Sequence, residues 1–141
     1  MDCKYQWSKE TLPATKIIEI RYKVTENGPC ALDMQRTWLY DIFPNGKCNP
    51  YSYQGQERYC QCKEEKLVSS HKAYKLACEL QKIISAPLWE KHIVKGEVCD
   101  GCRYNLQITY ADNRKKTMTG DVAGDTFDSI MEKFVHSVFK D

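Results

Sequence analysis

An α+β fold, with a single antiparallel sheet packed on one face by two amphipathic helices, is what this 141-residue chain predicts. Three observations carry that expectation. Two segments repeat apolar residues at three- and four-residue spacing, which on a helix gathers them on one side. The segments around them alternate apolar and polar residues with period two, as half-buried strands do. Short turns rich in Gly, Asn, Asp and Pro separate those strands, and such turns join neighbours antiparallel. The expected sheet has about five to seven strands.

The first strand is read in "KIIEIRYKV", whose apolar set is Ile18, Ile20, Tyr22 and Val24. In "RTWLYDIF" the set is Trp38, Tyr40 and Ile42, and Pro44-Asn45-Gly46 supplies the turn that follows. The segment "SSHKAYKLACELQKIISAP" places Ala73, Leu76, Ala77, Leu80, Ile83 and Ile84 on one helical face. A helix over about 69–85 follows, with Ser69 or Ser70 as its cap and Pro87 beyond its end. In "RYNLQITY" the inward set is Tyr104, Leu106, Ile108 and Tyr110, bounded by Asp100-Gly101 before and Ala111-Asp112-Asn113 after. The last element, "TFDSIMEKFVHSVF", stacks Phe127, Ile130, Met131, Phe134, Val135, Val138 and Phe139 along one face of a helix over about 125–139. Asp125 or Thr126 caps it, a short side-chain oxygen accepting from a first-turn N–H.

Laid side by side, these elements read as one strand-strand-strand-helix unit used twice, over about 14–86 and 88–141, within one domain spanning 1–141. The first unit carries an extra stretch before its helix, "QGQERYCQCKEEK". The run "CDGCRYNLQITYADNRKKTMTG" with the helix after it resembles a hairpin of uncharacterised bacterial proteins, in which an Asp-Gly turn leads into an aromatic-alternating strand, a second turn and a C-terminal helix. The resemblance covers about a third of the chain and implies a fold, with no activity and no functional residue attached.

At this length one domain buries a full core without a metal or disulfide staple. Lys and Arg number 21 against 19 Asp and Glu, so the net charge of +2 and the scatter of basic residues do not favour a nucleic-acid partner. The cluster Arg114-Lys115-Lys116 reads instead as a charged hairpin that discourages edge pairing. No stretch approaches the apolar length of a membrane span, and "MDCKYQWSKETLPATK" has no leader pattern, so the expected location is cytoplasmic. In that reducing compartment the eight cysteines are expected as free thiols or metal ligands, not disulfides.

Two close cysteine pairs raise the question of a metal. Cys60 and Cys62 in "CQC", with Cys99 and Cys102 in "CDGC", supply four thiolates at spacings zinc accepts, and zinc is the one cofactor the sequence suggests. Against a shared site, Arg103 stands where a knuckle carries a small residue, and Asp100-Gly101 is already explained as the turn opening the second unit. A thioredoxin-like reading of CDGC fails because a strand, not a helix, follows it. His71, His92 and His136 each stand alone, and no phosphate loop, Ser elbow or HExxH is present.

The function favoured by the sequence is therefore a non-enzymatic binding or assembly module, working through the sheet face the helices leave uncovered. On that face Leu39 and Phe43, with Tyr51 and Tyr53 on the next strand, form an apolar patch expected to self-associate or hold a protein partner. Two alternatives compete with it: a zinc-stapled structural module, and an enzyme with an unrecognised thiol or histidine site. A structural explanation of the patch is that the segment around Trp7 or around Tyr59 folds over it.

Overall fold

The computed structural model describes residues 13–26, 35–55, 61–62, 65–85, 102–121 and 126–139. A 3-10 turn at Ala14–Lys16 leads into β1 (Ile17–Glu26), followed by β2 (Arg36–Ile42), β3 (Lys47–Gln54), the two-residue strands β4 (Gln61–Cys62) and β5 (Lys66–Leu67), and helix α1 (Ser70–Ile84). Then come β6 (Cys102–Tyr110), β7 (Lys115–Asp121) and helix α2 (Thr126–Phe139). The strands form one seven-stranded sheet in the order β4-β3-β2-β1-β6-β7, with β5 beside β3, and every pairing is antiparallel. The expected α+β class, sheet and two helices are all present.

Both helices lie on the same face of that sheet. Tyr22, Ile20 and Val24 of β1, Ile42 of β2 and Tyr104, Leu106 and Ile108 of β6 join Leu76, Leu80 and Ile84 of α1 and Phe127, Met131 and Phe134 of α2 in one core. Register explains the common face: Ile20 pairs with both Ile42 and Ile108, and Tyr22 with both Tyr40 and Leu106, so inward residues line up across three strands. Ser69 caps α1 as expected, its Oγ accepting from the Lys72 N–H at 3.0 Å. Tyr110 brings its hydroxyl into the core and donates to Gln81 Oε1 at 2.6 Å, which gives a buried polar group a partner.

Three details depart from the sequence reading. Ile18 is 41% exposed while Ile17 is 5% exposed, the reverse of the expected β1 phase. A register shift between Ile17 and Glu19, where two steps on β1 face one on β6, turns Ile17 inward and Ile18 out. Second, β6 is flanked by β1 on one side and β7 on the other. The long-range β1–β6 pairing is one that local turn signals do not predict, and the Asp100-Gly101 turn expected to open the second unit lies outside the described residues. Third, the two units are unequal among the described residues: β1 to β5 precede α1, while β6 and β7 precede α2. The strand expected around His92 lies outside the described residues.

Candidate functional site

A cleft of about 370 Å³ opens where the 3-10 turn, the start of β1, the β2–β3 turn and the first half of α1 meet. Each wall is fixed locally. The 3-10 turn closes through Lys16 N–H to the Pro13 carbonyl at 2.9 Å, and the Lys16 carbonyl accepts from Ala111 N–H at 2.7 Å. The β2–β3 turn closes through Gly46 N–H to the Phe43 carbonyl at 2.9 Å, with Gly46 in the left-handed region at φ 93°. Its carbonyl in turn accepts from Val68 N–H at 2.9 Å, two residues before α1 begins. A Cβ at position 46 would sit 1.9 Å from the Val68 carbonyl oxygen, so glycine lets this turn touch the chain entering the helix.

The cleft floor is apolar: Ile17, Ile20 and Ile42 from the sheet, with Ala73 and Ala77 from α1, all buried. Space exists because α1 presents methyl groups there where a larger side chain would reach the sheet. Phe43 and Pro44 form one side, and Thr15, Ser70, His71 and Tyr74 stand at the exposed rim. Tyr74 is 45% exposed, and a hydrogen bond with Cys78 pushes its hydroxyl pKa upward. Among the described residues no Asp, Glu, Lys or Arg lines the cleft. It is suited to hold an apolar group with few polar contacts, the usual make-up of a ligand pocket.

The four residues expected to form a patch are divided between two places. Leu39 pairs with Tyr51, and Thr37 with Tyr53, so Leu39, Tyr51 and Tyr53 do share the face away from the helices. Leu39 is nevertheless only 6% exposed and neighbouring Asp41 4%, whereas Tyr51 and Tyr53 are half-buried. The expected exposure of Leu39 is thus corrected: that side chain is interior. Asp41 is held there by Arg21, whose Nε donates to Oδ1 at 2.8 Å and Nη2 to Oδ2 at 3.3 Å, a two-point ion pair across β1 and β2. Phe43, just past the end of β2, lines the cleft.

Of the four candidate zinc ligands, Cys60 and Cys99 lie outside the described residues. Cys62 is on β4 and Cys102 on β6, strands separated by β3, β2 and β1. Four inter-strand spacings put their backbones roughly 19 Å apart across the sheet, so these two positions are not brought together. Cys102 faces the helices beside β1, and burial, then Glu26 and Glu132, raise its thiol pKa. His71 is at the cleft rim and His136 on the exposed flank of α2, while His92 lies outside the described residues. No described helix is long and apolar enough to cross a membrane.

Sequence reasoning missed the cleft. Its signal was the small volume of Ala73 and Ala77 within an otherwise bulky stripe, which a reading of apolar against polar does not weigh. No family model matches the chain, and no curated protein matches it either.

Proposed function

We propose that this protein is a non-enzymatic binding module whose site is the cleft beside the first half of α1. The observation that supports the reading is a concavity of about 370 Å³ with a floor of Ile17, Ile20, Ile42, Ala73 and Ala77, open to solvent at a rim of Thr15, Ser70, His71 and Tyr74. An apolar group entering it removes its own surface and that of the floor from water, at about 25 cal/mol per Å² of apolar area. The apolar patch expected on the other sheet face gives way to this site because Leu39 is interior.

Titration with indole, a compact uncharged probe, tests the reading by two-dimensional ¹H–¹⁵N NMR. Saturable shifts are expected at the amides of Ile20, Ile42, Ala73 and Ala77. They disappear in Ala77→Leu, which fills the cleft, while the rest of that variant's spectrum stays native. Shifts that do not saturate, or that cluster elsewhere, refute the site.

A further inference from the structure

On the opposite face of the sheet, away from the cleft and both helices, a second depression of about 290 Å³ is lined by Lys23 and Thr25 of β1, Arg103, Tyr104 and Asn105 of β6 and Thr119 of β7. The register builds it. Lys23 pairs with Asn105, Thr25 with Arg103, and Asn105 with Thr119, so five polar side chains from three strands project to one side. Lys23 and Arg103 stand on diagonal positions of adjacent strands, about 7 Å apart at the backbone. Arg103 and Asn105 are exposed, and Lys23, Thr25 and Thr119 are half-buried. Among the described residues no carboxylate lines the depression. Lys23, Thr25, Arg103, Asn105 and Thr119 each carry a hydrogen-bond donor, and two of them are cationic.

We infer that this depression binds a phosphate group, presented as inorganic phosphate or a small phosphate monoester. A tetrahedral dianion suits the set. The Arg103 guanidinium offers a planar fork that meets two oxygens at once, Lys23 adds a second charge from the next strand, and the Thr and Asn groups donate to the remaining oxygens. The extent of the patch, three strands wide, matches one phosphate and not the continuous basic track that a nucleic-acid backbone needs. Thr25 is already positioned from behind, its hydroxyl 3.3 Å from that of Thr37. Across the register from Arg103 stands Asp121, the nearest carboxylate-bearing position on β7.

The test is titration of the intact chain with inorganic phosphate at low ionic strength, followed by ¹H–¹⁵N NMR. Amides of Lys23, Thr25, Arg103, Asn105 and Thr119 are expected to shift together and saturate in the millimolar range. Arg103→Gln with Lys23→Gln lowers the affinity by at least about tenfold, since each loses a charge-assisted bond, and Asp121→Asn raises it. Lys23 is half-buried and Arg103 exposed, and native spectra in the cleft and core establish that both variants fold. A glycerol 3-phosphate arm is expected to bind as tightly as phosphate. The inference is overturned if phosphate produces no saturable shift, if chloride at equal ionic strength produces the same one, or if only a single-stranded oligonucleotide binds. Indole binding in the cleft is read independently in the same spectra.

Discussion

The two helices pack on the same sheet face yet close it differently. Against β1 and β6, α2 directs Phe127, Met131 and Phe134, which are 0%, 0% and 7% exposed. The Tyr22 hydroxyl reaches the same helix, donating to Glu132 Oε1 at 2.9 Å, and burial followed by the charge of Glu132 drives its pKa well above the ordinary tyrosine value. At its start, α1 directs Ala73 and Ala77 toward Ile20 and Ile42, and the cleft remains. The large side chains of α1, Leu76 at 3% exposed and Leu80 and Ile84 at 0%, pack into the core beside and beyond those two alanines. A helix can therefore be fully amphipathic and still leave a hollow. Periodicity decides which face turns inward, whereas side-chain volume decides whether that face touches its partner.

Removing a large group from the filled side gives the widest contrast. Phe127→Ala is expected to destabilise the fold by about 4 kcal/mol, the cost of lost burial plus a cavity, read as a fall in the urea midpoint. A loss under about 1 kcal/mol would mean that α2 does not anchor on Phe127.

Under the α1 side the buried titratable groups give a pH test. Burial first, offset by Lys72 and increased by Glu65, pushes the Cys48 thiol up to about 11, and burial pushes Tyr110 up to about 12. In the unfolded chain these groups release their protons at lower pH than in the folded chain. Between about pH 9 and 11 the folded state thus binds more protons, and stability must fall as pH rises. Chemical denaturation at a series of pH values should show that decline, on the order of 2 kcal/mol from Cys48 by pH 11, and Cys48→Ala should flatten it.

Adding volume gives the smallest effect and the most direct comparison of the helices. Ala77→Leu places methyl groups into open space and is expected to raise stability by about 1 kcal/mol. Met131→Phe forces volume into a filled site and is expected to lose about 1 kcal/mol. Thermal unfolding of the pair decides the matter: a shift of the same sign in both variants would show that the two sides are packed alike.

Much of this architecture was legible because it is local. The stripes of α1 and α2, the Ser69 cap and the inward sets of β2 and β6 follow from side-chain periodicity over one or two turns or a few strand residues. What was not legible depended on partners far along the chain. Ile17 and Ile18 exchange roles because of a bulge that only the pairing with Tyr110 and Thr109 creates. The pairing of β6 with β1 joins distant segments of the chain, which no local turn signal encodes. Leu39 alternates correctly onto the face away from the helices, yet its burial depends on what lies over it, which alternation does not encode. Of the four residues of the expected patch Phe43 alone lines the cleft, and His71 stands at its rim. The polar depression was not legible, because only the register sets Lys23, Arg103 and Thr119 around Asn105.

The strand order has a consequence for how the protein comes off the ribosome. β1 is the first strand of the sheet to be made and one of its innermost, with Ile20 waiting for both Ile42 and Ile108. Until β6 emerges, the ten-residue edge of β1 that will receive it stays open beside a finished β1-β2-β3 sheet. Vectorial synthesis thus exposes an unpaired central strand for most of its duration, the condition under which nascent chains pair with one another. Closure must wait for a loop that spans most of the chain, which makes the last pairing slow as well as late.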